Sequence, residues 1–229
     1  MAPFFTDAFK ALSPEEQEAY HRTVFMQMDT PFAMEWRARH YAGLLKRMGS
    51  GVRIGAGVKF VNPEWISLGD NVNIDDGCTL IARSNRGISL GDSACLKHGV
   101  YLDTETADGY IEVGARAYLG TGCCLHGHQG LEIGEDTLLA QNVTITPFSH
   151  KFDDPAVPII QQGGYMRKIA IGRDCYLGMG VCVLYSADIG DGAVIGAGAV
   201  VVKPVPPFSV AIGVPARIIR KRKKSRTTT

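Results

Sequence analysis

From residue 51 onward the chain is punctuated by an aliphatic residue followed by glycine: Ile54-Gly55, Leu68-Gly69, Leu90-Gly91, Val113-Gly114, Ile133-Gly134, Ile171-Gly172, Ile189-Gly190 and Ile195-Gly196. Further aliphatic residues keep step at multiples of six: Ile74 after Leu68, Leu96 after Leu90, Leu119 and Leu125 after Val113, Leu139 and Ile145 after Ile133, and Leu177 and Val183 after Ile171. A short strand points one such side chain inward, and the chain then turns a tight corner. Glycine, asparagine and aspartate fill the corners because they tolerate positive φ. Stacked coils bury the aliphatic residues in columns and pair their strands along the axis. Twenty-five of the 27 glycines lie in this region. No segment of adequate length between residues 51 and 213 keeps a helical period, which excludes an α/β arrangement. The expectation is an all-β solenoid.

Residues 1–50 read as helical. Ser13-Pro14-Glu15-Glu16 has the form of a capping box with proline at the first helical position. Thr30-Pro31 makes a second start, and Tyr41, Leu44, Leu45 and Met48 follow at helical spacing until Gly49. Such a cap covers the exposed end of a solenoid. The formal net charge of +1 gives no reason to expect nucleic acid or a membrane surface as partner. No apolar stretch approaches the ~20 residues of a membrane span. The first residues lack a signal-peptide pattern, so the expected location is the cytoplasm, with the six cysteines as free thiols.

With these residues in view, the region from about 51 to 220 resembles the left-handed parallel β-helix of the hexapeptide-repeat acyltransferases. The stretch Ile171-Gly172-Arg173-Asp174-Cys175-Tyr176-Leu177-Gly178, the run from Ile189 to Val201 and the closing Gly213-Val214-Pro215-Ala216 follow the order typical of the maltose, galactoside and polysaccharide O-acetyltransferase branch. The organisation expected is a helical cap over 1–50, a β-helix over 51–213 with an inserted loop over 147–168, and a C-terminal segment over 214–229, a short helix or basic tail.

The repeat breaks most conspicuously from Pro147 to Lys168, a span too long for a plain connection. His150 stands at its start, ahead of Asp153-Asp154-Pro155, Pro158-Ile159 and Gln161-Gln162-Gly163. This resembles the family's loop, whose histidine is the catalytic base. The chemistry calls for one: a sugar hydroxyl attacks a thioester only as its proton is taken, and imidazole suits that task. Asp153, Asp154 or a backbone carbonyl would fix the tautomer. For the oxyanion, the resemblance points to backbone N–H groups near Gly178 and Met179.

Cys123-Cys124-Leu125-His126-Gly127-His128 forms a second cluster. It lacks the paired spacing of a zinc site and the three-histidine pattern of the carbonic-anhydrase relatives on this fold, so no metal is expected. Leu125 occupies the inward column, which turns Cys124 and His126 outward on one strand. His126 and His128 are therefore expected on the acceptor side of the cleft that these enzymes form between subunits of a homotrimer.

The resemblance also implies acetyl-CoA as acyl donor, with Gly178, Met179, Ala197, Val202 and Lys203 along its pantetheine arm and Arg217 and Arg220 near its phosphates. Arginine and lysine are the donors a phosphate wants. The chain departs from the family at Tyr176, where tryptophan is frequent, at Val202, where a hydroxyl residue is usual, and at Tyr185-Ser186-Ala187, which replaces a Pro-Gly-Val corner. An asparagine of the galactoside-type acceptor site falls near Gly120–Gly122 and is missing. The function expected is acetyl-CoA-dependent O-acetylation of a sugar or polysaccharide precursor. The rival readings are N-acetylation of an amino sugar, for which Asp103, Glu105 and Asp108 offer carboxylates, and a non-catalytic scaffold or metal-dependent hydratase.

Overall fold

Ile54, Ile74, Leu96, Leu119, Leu139, Leu177 and Ile195 line up in one fully buried column. Leu80, Leu102, Leu125, Ile145, Val183 and Val201 make a second, and Leu68, Leu90, Val113, Ile133 and Ile171 a third. The computed structural model describes residues 10–222. It forms the left-handed parallel β-helix expected, entered by two helices. Three sheets of six, nine and seven strands make its faces, and a separate two-stranded hairpin stands apart from them.

Each coil hands its backbone groups to the next. The Tyr118 N–H donates to the Thr137 carbonyl at 2.9 Å, and the Leu138 N–H to the Cys175 carbonyl at 2.8 Å. Left-handed backbone at the corners falls on glycine and on Asn71, Asn142, Asp136 and Asp174, as composition suggested, but also on Ser93 and Arg116. All six cysteines are free thiols.

The first helix, α1 (Pro14–Gln27), carries the expected capping box: the Ser13 N–H donates to Glu16 Oε2 at 2.8 Å, and Ser13 Oγ accepts from the Glu16 N–H at 3.3 Å. The second, α2 (Pro31–Ala42), begins at Thr30, whose Oγ1 accepts from the Ala33 N–H at 3.2 Å. It stops earlier than the apolar spacing indicates. Leu45 and Met48 lie beyond Gly43, and Arg47–Met48 is already a strand paired with Ser67–Leu68. Their three-residue separation mimics a helix, yet the Lys46 N–H finds the Ile66 carbonyl at 3.0 Å, and the sheet takes the segment. The solenoid thus begins before residue 51.

The C-terminal segment also differs from expectation. Arg217–Lys221 is a strand, antiparallel on Ser209–Ile212, rather than a short helix or tail. The edge of Ser209–Ile212 offers unpaired ladder groups, and the isoleucine pair Ile218-Ile219 suits a strand. The basic tail beyond Arg222 lies outside the described residues.

Arg37, on α2, is buried and ties the cap to the solenoid. Its Nε donates to the Ile54 carbonyl at 2.8 Å, and its Nη1 to the carbonyls of Phe25 and Met28 at 2.5 and 2.8 Å. These bonds fill orphan acceptors at the end of α1 and on the first coil. Arg37→Met should therefore loosen the cap alone. In hydrogen exchange, amides of α1 should exchange at least about tenfold faster, ~1.4 kcal/mol, while those of the later coils keep their protection.

Candidate active site

The interruption at 147–168 is an ordered hairpin. Phe148–His150 pairs antiparallel with Gly164–Met166, which sets His150 opposite Gly164. A Cβ at Gly164 would collide with the Phe148 ring, so glycine lets that ring lie flat against the strand. Gln162 closes the outer part of the loop, donating to the carbonyls of Asp154 at 2.8 Å and Val157 at 2.7 Å. Arg167 pins the base to the following coil through Ser186 Oγ at 2.8 Å and Asp188 Oδ2 at 2.7 Å, and Tyr165 stacks on Tyr185 with centroids 6.0 Å apart. The altered corner Tyr185-Ser186-Ala187 is thus the anchor of the hairpin.

His150 is exposed and makes no hydrogen bond among the described residues. Asp154 is used within the loop, its Oδ1 accepting from the Ala156 N–H at 2.9 Å. What orients the imidazole is Phe148, edge-to-face at 4.6 Å between centroids. Phe148 in turn stacks on His128 at 5.0 Å, His128 lies 6.1 Å from His126, and His126 lies 6.1 Å from Tyr101. The two histidines of the second cluster and the histidine of the loop therefore belong to one continuous row of rings.

Beneath this row the coil swells between Asp103 and Tyr110. Asp103 is 1 % exposed and receives both Nε and Nη2 of Arg83 at 2.8 Å, the Tyr101 hydroxyl at 3.0 Å and the Glu105 N–H at 2.8 Å. Burial works to raise the Asp103 carboxyl, but these donors outweigh it and hold it below the usual carboxylate range. Burial and the Asp103 carboxylate push the Tyr101 hydroxyl up to about 12. The Glu105 backbone, at positive φ, brings its carboxylate to His126 Nδ1 at 2.7 Å, and His126 Nε2 meets Cys124 Sγ at 3.4 Å. Cys124 and His126 do share an outward strand surface. Arg83 and Phe148 escape a sequence reading, and Glu105 enters it only as a carboxylate for an amino-sugar acceptor and not as the partner of His126, since Asp103, His128 and His126, which they respectively meet, lie one coil away and the swollen corner breaks the six-residue step.

The late coils present a different surface. The Gly178 N–H is committed to the Ile195 carbonyl at 2.8 Å, and a Cβ there would lie 2.6 Å from Ala197 N. The Met179 N–H has no acceptor among the described residues. At equivalent corners an aspartate of the next coil fills that role: Asp76 accepts from the Ala56 N–H at 2.7 Å and Asp191 from the Arg173 N–H at 2.9 Å. Ala197 occupies that place beside Met179. Val202 and Lys203 follow the Val200–Val201 strand and are exposed. Arg217 and Arg220 are exposed and donate to neighbouring backbone carbonyls, with no carboxylate partner among the described residues. Arg116, Arg173 and Arg222, by contrast, are each paired with acidic side chains. Two recesses of the single chain, of about 560 and 620 Å³, lie at the helical cap, away from His150.

Residues 66–104 match the family model for the hexapeptide repeat of succinyl-transferase, and residues 168–203 that for the bacterial transferase hexapeptide of six repeats. Two separate stretches of the solenoid thus match hexapeptide-repeat models. Among curated proteins, the chain is 32 % identical over 135 residues to the galactoside O-acetyltransferase of Escherichia coli, covering 58 % of this chain and 63 % of that one. It is 35 % identical over 118 residues to a probable acetyltransferase of Mycobacterium tuberculosis, covering 52 % and 39 %. The chain spans about half the length of the curated relatives it matches. In fold it is similar to AntD, an N-acyltransferase from Bacillus cereus solved with dTDP and 3-hydroxybutyryl-CoA, at 21 % identity and a TM-score of 0.54, covering 82 % of this chain and 88 % of that one. No helix among the described residues is long and apolar enough to cross a membrane.

Burial lowers the His128 imidazole below its ordinary value; Glu105 and Asp103 oppose that shift and His126 adds to it. A folded value below the unfolded one means that the unfolded chain takes up the proton first as pH falls through ~6.5. The stability held by neutral His128 is complete above that pH and declines below it. Urea denaturation between about pH 7.5 and 5.5 should show this decline, and His128→Phe, which keeps the stack on Phe148, should flatten it.

Proposed function

We propose that this chain transfers an acetyl group from acetyl-CoA to a hydroxyl of a sugar or polysaccharide precursor, directly in a ternary complex, as a cytoplasmic homotrimer. The observation that carries the reading is His150, exposed at the head of a pinned hairpin and joined through Phe148 to the histidines of the preceding coil. Relatives that share about half their length with this chain are named acetyltransferases, which supports the same reaction class.

In this mechanism His150 takes the proton of the acceptor hydroxyl as it attacks the thioester carbon, then returns it to the departing thiolate. The Met179 N–H is the donor for the oxyanion, since the neighbouring Gly178 N–H is spent within the coil. Gly178 and Ala197 keep that corner small enough for the pantetheine arm to pass, with Val202 beside it. Lys203, Arg217 and Arg220 suit the phosphates, as cations without carboxylate partners among the described residues. His126 and His128 line the acceptor side, and a second subunit closes the groove.

A neutral hydroxyl fits better than an ammonium. An amino-sugar acceptor needs a carboxylate ready to accept its proton. Asp103 is closed by Arg83, Tyr101 and the Glu105 N–H, Asp108 accepts from Thr106 Oγ1 at 3.0 Å, and Glu105 faces His126.

His150→Ala should lower turnover by roughly 10²–10⁴-fold, measured as CoA release with a panel of sugars, while CoA still raises the melting temperature. Full activity in the variant removes His150 from the mechanism. A wild-type protein that neither CoA nor acetyl-CoA stabilises removes the donor.

A further inference from the structure

Cys124, His126 and Glu105 make an arrangement that base catalysis by His150 leaves unused. His126 Nδ1 lies 2.7 Å from Glu105 Oε1, and Nε2 faces Cys124 Sγ at 3.4 Å; in the neutral ring with Nδ1–H donating to the carboxylate, Nε2 carries the lone pair. Thiol, imidazole and carboxylate thus stand in the order that activates a nucleophile, with the base oriented by a third group. The third group is itself held. The Glu105 N–H bonds Asp103 Oδ1, and Asp103 is locked by Arg83 and Tyr101. The Thr106 hydroxyl ties the same turn to the His128 carbonyl at 2.7 Å. All three side chains are half-buried rather than sealed. Burial and the Glu105 charge raise the Cys124 thiol, so it rests protonated and needs His126 to react.

We propose that Cys124, His126 and Glu105 form a second nucleophilic site, at which the Cys124 thiol accepts an acyl group from a thioester or an activated ester. Cys124 Sγ bonds to the acyl carbon as its proton passes to His126 Nε2. The bond from that carbon to the leaving sulfur or oxygen breaks, and the imidazolium, stabilised by Glu105, returns the proton to the leaving group. The products are an S-acyl cysteine and a free thiol or alcohol, so no further reactant is required. With acetyl-CoA as donor the inference rests on the reading above; with an aryl ester it does not.

The molecule carries its own references. Cys182 lies on the same sheet face, in register with Cys124 through Thr144, and Cys95 is likewise half-buried, with Asn73 as its side-chain neighbour at 3.8 Å. Neither has an imidazole partner among the described residues. The full chain would be exposed separately to para-nitrophenyl acetate and to acetyl-CoA, and hydroxylamine-labile acetyl groups mapped by peptide mass spectrometry. Cys124 should be acetylated at least about tenfold faster than Cys95 and Cys182, and His126→Gln or Glu105→Gln should remove most of that advantage. Unchanged rates at Cys95 and Cys182 report that the variants remain folded. Labelling by the aryl ester but not by acetyl-CoA supports the site and counts against acetyl-CoA as its donor. Equal rates at the three cysteines, a preference for Cys124 that survives His126→Gln, or no labelling by either reagent overturns the proposal.

Discussion

Every coil must come back to the same inward position before the next can stack, and this closure condition governs the rest of the molecule. Ile54 sits over Ile74, and Ile74 over Leu96, because the backbone ladders between coils allow no slip without turning the aliphatic column outward. Extra residues therefore leave the solenoid at a corner and return to it. Two such departures concern the site: the swollen turn after Asp103 and the hairpin after Pro147. They leave from two strands of the same sheet, Tyr101–Asp103 and Thr144–Ile145, which flank Cys124–His126, and this is why the histidines of that middle coil meet Tyr101 on one side and the hairpin's Phe148 on the other.

That condition also explains what a reader of the sequence could see. The inward columns were legible because a six-residue step is a local property. Ser13-Pro14 and Thr30-Pro31 were legible because capping uses residues three apart. Leu45 and Met48 misled because a spacing of three serves a helix and a coil entrance alike, and only the Ile66 carbonyl decided between them. At the C-terminus the unpaired edge of Ser209–Ile212 decided in the same way. His150 stood out at the largest break in the pattern. Its companion Phe148 did not, since an aromatic residue within a loop carries no spacing signal. The pairs Arg83–Asp103, Glu105–His126 and Arg167–Asp188 are about a coil apart, and each involves a corner of irregular length, so no fixed offset announces them.

Charge is distributed in two manners. Along one corner Arg116, Glu135, Asp136, Arg173 and Asp191 form an exposed ladder, of the kind that contributes little to stability. The Arg83–Asp103 pair differs, since the carboxylate is sealed and the guanidinium is 47 % exposed. Its value is positional: it fixes the turn that aims Glu105 at His126. The arginines of the last strand belong to neither group and face outward with their charge uncompensated by side chains among the described residues.

Stacked parallel coils are, in principle, an endless ladder: each exposed end carries the donors and acceptors that would recruit another chain. Here the first coil has its ladder groups occupied from within. Arg37 takes the Ile54 carbonyl, and the Met26 carbonyl takes the Gly57 N–H at 2.7 Å. In the nine-stranded sheet at the far end, Arg217–Lys221 reverses direction and lays a charged, antiparallel strand over the last rung. A parallel newcomer finds no matching register at either place. The same clamp that attaches a small helical cap therefore makes a fibre-forming geometry finite.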